Sequence, residues 1–420
     1  MIRSHLRSLR ACVFAAAALS LGSACSGDDG GSATASSTGE SSSSAGGTES
    51  TSAGTETVGE SESTSESTTG EATEREGCEG AKLLINPEDP ALPGPWPVGA
   101  RTVTIAERTT EIWYPAKPGS AAGVEPEVYD IRLHLPPEEQ GKIPDDAAPW
   151  QACGCYRDLP LDTDHGPYPV IVFIHGTAGF RTQSLTFMTH WASRGFVVVS
   201  SDHTGITLAD VLGGNFGADQ SGDAAKVLDA LAAPSGETAF LAGHIDLARV
   251  GMSGHSAGGS AIAGFGGRPG VQVLAPMAAG GASPGAALKS TLVLGGMVDK
   301  IVAYGSQQSG YASAAPRKRL VGLSAAGHLA FSDLCVLGAD QGGILQIALD
   351  YGVNVPPLLI PLAKDGCAPE NLSAEEGFAI TQAASSAAFE ETLHCDDAMT
   401  AALAGLPARY PAIGEFQEAL

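Results

Sequence analysis

From residue 102 onward, short apolar runs alternate with stretches of helical pattern. The runs predict strands at 102–105, 110–113, 170–174, 196–200, 250–252, 291–294 and 319–323. One of them, Pro169-Val170-Ile171-Val172-Phe173-Ile174, is apolar without a break, which is the pattern of a strand covered on both faces. Between the runs, helices are predicted at 185–194, 222–232, 257–264, 304–312 and 375–393. Strand and helix in turn argue for the α/β class, with a mostly parallel central sheet and helices on both of its faces. No second linker and no internal repeat interrupts residues 78–420, so they read as one large domain.

The chain begins differently. Arg3, Arg7 and Arg10 precede an apolar run over 11–21, followed by Gly22-Ser23-Ala24-Cys25. This is the pattern of a secretion signal, and the small residues before Cys25 resemble a bacterial lipoprotein signal, with Cys25 as the lipid-anchored residue of an exported protein. Ordinary cleavage near Ala24 is the alternative. From residue 26 to 77 the chain is Ser, Thr, Gly and Glu with eleven acidic residues and one basic one, too polar to offset its ordering entropy, and it reads as a disordered spacer. The whole chain carries a net charge of −24, which argues against a nucleic-acid partner. Beyond Cys12 and Cys25, six cysteines remain, and an even number in an exported protein suggests disulfides. Three of them, Cys78, Cys153 and Cys155, precede the centre, and Cys335, Cys367 and Cys395 follow it, so full pairing needs at least one bond between the halves. The spacing of Cys153-Gly154-Cys155 is not a usual one for zinc.

Candidate chemistry lies in Arg249-Val250-Gly251-Met252-Ser253-Gly254-His255-Ser256-Ala257-Gly258-Gly259. It contains G-x-S-x-G, the pattern of a serine on a sharp turn between strand and helix. In a chain with 54 glycines about one such match arises by chance. A second, Gly281-Ala282-Ser283-Pro284-Gly285, fails on physical grounds: the residue after the nucleophile must donate a backbone N–H, and Pro284 has none. Ser283 reads as a turn serine. An elbow predicts an acid and then a histidine further along, and between Ser256 and His328 the only acidic residue is Asp299. Asp299 and His328 each follow a predicted strand, where open α/β sheets place their chemistry. After Asp299 the only other histidine is His394, in the predicted terminal helix, which leaves Ser256, Asp299 and His328. Asp333 is the one alternative acid.

The run 170–174 is followed at once by His175-Gly176-Thr177-Ala178-Gly179, a loop able to aim an N–H at the same point. Here the chain resembles the α/β-hydrolases, and within them the group of platelet-activating-factor acetylhydrolases, dienelactone hydrolase-like lipoproteins and cutinase-like polyester hydrolases. The segments that carry the resemblance are Gly94-Pro95-Trp96-Pro97-Val98-Gly99, Glu111-Ile112-Trp113-Tyr114-Pro115-Ala116, Phe173-Ile174-His175-Gly176, Ala192-Ser193-Arg194-Gly195-Phe196-Val197-Val198-Val199, the elbow, and Gly327-His328-Leu329-Ala330-Phe331-Ser332-Asp333, spread over most of 94–335. The resemblance implies an α/β-hydrolase catalytic domain over 78–420, a Ser256-His328-Asp299 triad, and the N–H groups of Thr177 and Ala257 as oxyanion donors. It implies neither cofactor nor metal. Polyester hydrolases of the group carry an aromatic residue after the oxyanion-loop glycine and a tryptophan after the strand that follows the elbow helix; Thr177 and Ala278-Ala279-Gly280 stand there instead.

The expected function is hydrolysis of short-chain acyl esters by a monomeric serine carboxylesterase, with a lipase or polyester hydrolase as the alternative and a non-catalytic surface binding protein as the reading from another class. Short acyl groups are favoured by the small residues Gly176-Thr177-Ala178 and Ala278-Ala279-Gly280-Gly281 around the expected site. The apolar runs at 344–349 and 355–361 read as core packing, with a lid over a lipid-binding groove as the other possibility. Of the remaining polar residues, His255 is expected to pack beside the site and His175 to orient the oxyanion loop. Asp202-His203 is expected in a turn, and Arg317-Lys318-Arg319 as the solvated start of a strand.

Overall fold

The computed structural model describes residues 75–420; the expected signal, Cys25 and all but the last residues of the acidic spacer lie outside the described residues. The strands are β1 Val98–Ile105, β2 Arg108–Pro115, β3 Val128–Asp130, β4 Trp150–Ala152, β5 Tyr156–Arg157, β6 Tyr168–Ile174, β7 Val197–Ser201, β8 Ile245–His255, β9 Val271–Met277, β10 Ser290–Gly296, β11 Lys318–Leu323 and β12 Ile413–Ala419. All but β3 and β4 join one ten-stranded sheet in the order β12-β11-β10-β9-β8-β6-β7-β2-β1-β5. Its centre, from β7 through β6, β8, β9 and β10 to β11, is parallel; β2 and β12 border it antiparallel.

The helices are α1 Pro137–Gln140, α2 Leu185–Ser193, α3 Leu208–Leu212, α4 Gln220–Leu231, α5 Ala257–Ala261, α6 Tyr304–Ser313, α7 Ile344–Asp350, α8 Ala374–Leu393 and α9 Ala398–Arg409. They cover both faces because alternate residues of each central strand point opposite ways. In β6, Ile171 and Phe173 join the core under α2 and α8, while Val170, Val172 and Ile174 join the core under α4. The small residues Ala383, Ala384, Ala387 and Ala388 let α8 lie close to the sheet, and Phe389 fills the space that the missing side chain of Gly251 leaves. No helix among the described residues is long and apolar enough to cross a membrane.

Every predicted strand is present. Two sheet strands of full length, β9 and β12, were not expected, nor were α1, α3, α7 and α9. The helix expected at 257–264 is α5 only as far as Ala261, and the chain then tightens into a 3-10 helix over Ile262–Gly267. Arg319 is not solvated: it is 1% exposed, bonded to Glu391 of α8 and Glu418 of β12, so the expected solvated strand start is corrected there. The cysteines pair as Cys78–Cys395, Cys153–Cys155 and Cys335–Cys367, one bond between the halves, and such bonds fit an exported protein.

Candidate active site

β8 ends at His255, and Ser256 follows with φ 56° and ψ −118°, a sparsely populated conformation that costs on the order of 1–3 kcal/mol and persists only where the surroundings impose it. The surroundings do so by close approach. A side chain on Gly254 would run into the backbone of Gly258, and one on Gly258 would run into the carbonyl oxygen of Ile174 in β6. The turn therefore lifts the Ser256 hydroxyl out of the sheet and starts α5 directly behind it.

β10 and β11 bring the other two residues to the same place. His328 Nε2 lies 2.9 Å from Ser256 Oγ, and His328 Nδ1 lies 2.9 Å from Asp299 Oδ2. Asp299 is buried and held on both oxygens: Oδ1 accepts the N–H groups of Ile301 and Val302 at 2.8 and 2.7 Å, and Oδ2 also accepts Gln307 Nε2 at 3.1 Å. With three donors already on this carboxylate, its Oδ2 is placed to accept from His328 Nδ1, which leaves Nε2 turned toward the Ser256 hydroxyl. Asp365 was not anticipated. Its Oδ2 accepts the backbone N–H groups of Lys300 and His328, and its carbonyl accepts that of Leu329.

The loop after β6 is braced from behind. Gln183 accepts the Gly176 N–H at 3.1 Å on Oε1 and donates from Nε2 to His255 Nδ1 at 2.8 Å. His255 in turn donates from Nε2 to the His328 carbonyl oxygen at 2.8 Å, the one assignment in which every partner has its proper role. Burial, and next the neighbouring His328 ring, push the His255 pKa down to about 3, so it stays neutral and works as a strut. His175 is fully buried, accepts the His203 N–H on Nε2 and holds the Gly176 carbonyl through Nδ1; burial lowers its pKa. Among the described residues, the N–H groups of Thr177 and Ala257 donate to no backbone carbonyl in a turn or loop, and Thr177 lines the same cavity as Ser256.

The remaining candidates lie elsewhere. Asp333 does not meet the His328 ring; its carboxyl is buried at the start of α2, where it accepts Gln151 Nε2 and the Thr186 N–H, and burial pushes its pKa up to about 6. His394 caps α8 at the opposite end of the parallel strands, stacked on Phe196 at 4.2 Å. Ser283 is an exposed loop residue. Asp202 holds Arg181 through its side chain and backbone, and His203 braces His175. Among the described residues no three His, Cys, Asp or Glu side chains converge as a metal-ligand set.

Over Ser256 and His328 lies a cavity of about 120 Å³ with mostly apolar walls. One wall is the insertion between β3 and β4, with Leu135 and Ile143; the other is the segment between Cys335 and Cys367, with Leu345, Ala348, Leu359 and Leu362. The apolar runs expected as core thus face the site as well as packing against one another. The small run Ala278-Ala279-Gly280-Gly281, expected to open the acyl side, does not line the cavity. Ala279 instead sits against Gly259, so smallness there lets α5 dock against the end of β9.

A family model described as Chlorophyllase matches residues 159–266, which hold β6, the Thr177 loop and the Ser256 elbow but not Asp299 or His328. No curated protein matches the chain. Among solved structures, a ferulic acid esterase from Streptomyces cinnamoneus is similar, with a TM-score of 0.50 at 18% identity, over 72% of this chain and 91% of that one. A likeness of this kind is one of fold.

Proposed function

We propose that this member of the α/β-hydrolase superfamily is a carboxylic-ester hydrolase that works through an acyl-enzyme on Ser256. The observation that carries the reading is the unbroken line from Asp299 Oδ2 through the His328 ring to Ser256 Oγ, 2.9 Å at each step. Ser256 attacks the acyl carbon while His328 Nε2 takes its proton. The negative charge that develops on the acyl oxygen is met by the Thr177 and Ala257 N–H groups, and the imidazolium is stabilised by Asp299. His328 then gives its proton to the leaving alcohol, and a water activated by the same ring releases the acid. The names chlorophyllase and ferulic acid esterase agree with ester chemistry. The enzyme is further read as exported and held to a membrane by a lipid on Cys25, with 26–77 as the tether.

A fluorophosphonate probe tests the reaction. The folded protein is expected to be labelled and to hydrolyse p-nitrophenyl esters, and Ser256→Ala is expected to lose both. A folded wild-type protein that is neither labelled nor active on any p-nitrophenyl ester from acetate to dodecanoate would overturn the proposal and favour a binding protein on the same scaffold.

A further inference from the structure

Two segments that the sheet does not require enclose the space above Ser256, and what they offer a substrate is unusual in its uniformity. The insertion contributes Leu135 and Ile143; the segment 336–366 contributes Leu345, Ala348, Leu359 and Leu362. The second segment is closed at its base by Cys335–Cys367. It is also tied to the first: Lys142 Nζ donates to the Gly352 carbonyl at 2.8 Å, and Glu139 accepts the Asn354 N–H at 3.1 Å. The wall is therefore one braced unit standing over the serine.

From this we infer that the site takes an ester carrying a flexible aliphatic arm of about six carbons or more, and that the disulfide-closed segment 336–366 selects it by enclosing that arm. The inference rests on the ester-hydrolase reading above and adds the substrate class. Three observations exclude other arms. Of the polar side chains in the lining, Thr177, His255, Ser256 and His328 belong to the reacting end. The other two are engaged: Gln183 holds Gly176 and His255, and Arg132 is bound by Asp130, Asp145 and the Ile143 carbonyl. A phenol, sugar hydroxyl or carboxylate in this space would be desolvated without a partner. Phe180 is the aromatic residue of the lining, and its ring is stacked on His134 at 4.3 Å, so the walls provide no flat clamp for a planar acyl group. An aliphatic chain needs neither partner nor clamp, and each methylene buried here is worth up to about fourfold in kcat/KM.

The arm can sit on the acyl or on the alcohol side of the ester, and the experiment separates the two. Purified full-length protein is assayed with p-nitrophenyl alkanoates from C2 to C12 and, in parallel, with ethyl, butyl and octyl acetates below their solubility limits. Fluorophosphonate labelling of each sample counts intact Ser256 sites. A rise in kcat/KM of at least tenfold from C2 to C8 along either series is expected, with feruloyl ester turned over more slowly than octanoate. Ala348→Trp, which fills the space, is expected to lower the C8 to C2 ratio at least tenfold, and Ala348→Leu to lower it less. Labelled, active enzyme that prefers C2 in both series, or a C8 to C2 ratio unmoved by both substitutions, would overturn this inference and leave ester hydrolysis standing. An unlabelled, inactive folded protein would overturn the reaction itself.

Discussion

Asp365 accepts the backbone N–H of His328 on Oδ2 at 3.1 Å, and the same oxygen accepts the N–H of Lys300 at 2.9 Å. One carboxylate thus ties the loop that carries His328 to the loop that carries Asp299. It is set two residues before Cys367, so the base of the segment that walls the cavity also fixes the histidine.

Asp365→Ala should release the His328 loop. A displacement of about 1 Å at a reacting group costs on the order of 10²-fold, so kcat should fall about 10- to 100-fold with KM little changed. Asp365→Asn keeps an acceptor oxygen and should recover most of the rate. An alanine variant with kcat within twofold of wild type would show that the loop holds its place without this carboxylate.

The two acids separate by environment. Asp299→Asn should fold and bind substrate but lose on the order of 10⁴-fold in kcat, because an amide that donates to Nδ1 imposes the wrong tautomer. Asp333→Asn, at the start of α2 and bonded to Gln151 and Thr186, should change kcat by less than threefold. Steady-state kinetics of the pair decide, and the opposite order of damage would move the acid to Asp333.

The central strands were legible because burial on both faces leaves them no polar alternation, and Ser256, Asp299 and His328 emerged by elimination from a fixed order along the chain. β9 was missed because Pro276 and Gln272 interrupt its apolar run, and β12 because Glu415, Gln417 and Glu418 mark a half-exposed edge. Gln183, Gln307 and Asp365 act through contacts to distant loops, and a single polar residue carries no local pattern that would reveal such a partner. The runs at 344–349 and 355–361 were visible as apolar, but periodicity is the same for a core and for the wall of a pocket. The burial of Arg319 was hidden for a related reason: its partners Glu391 and Glu418 lie far along the chain.

Buried neutral histidines predict how stability depends on pH. Burial pushes His190 down to about 4 and His203 and His255 to about 3, below the value of about 6.5 expected in the unfolded chain. The unfolded state therefore takes up protons first, and the stability these residues confer is whole above pH 6.5 and lost as pH falls toward 4. Each contributes about 1.4 kcal/mol per pH unit in that window. Asp333, raised to about 6, and Glu390, also raised by burial, run the other way, since their neutral forms suit the buried sites, but the buried histidines outnumber them, His134, His175 and His394 being lowered as well. The urea midpoint should fall steeply between pH 6.5 and 4.5, and His190→Phe should reduce the slope by about one proton. A midpoint that stays level from pH 7 to 4.5 would contradict the assignment.

The proposed lipid tether makes the last prediction. Cys78 is bonded to Cys395 beside His394, whose ring stacks on Phe196 just before β7, whereas Ser256 and His328 stand beyond the opposite ends of the parallel strands. Residues 75–77 therefore meet the domain near the start of β7, at the ends of the parallel strands away from the site. A lipid on Cys25 would hold the domain to a membrane without touching its chemistry, provided more than one acyl chain is attached, since a single chain binds only marginally. Cys25→Ser should shift the protein from the membrane fraction to the soluble one and leave kcat/KM on p-nitrophenyl esters unchanged. Fractionation of cells expressing either form, followed by assay of both fractions, measures both effects at once. Equal membrane retention of the two forms would remove the anchor, and a loss of activity with the shift would mean that the tether does more than hold the enzyme in place.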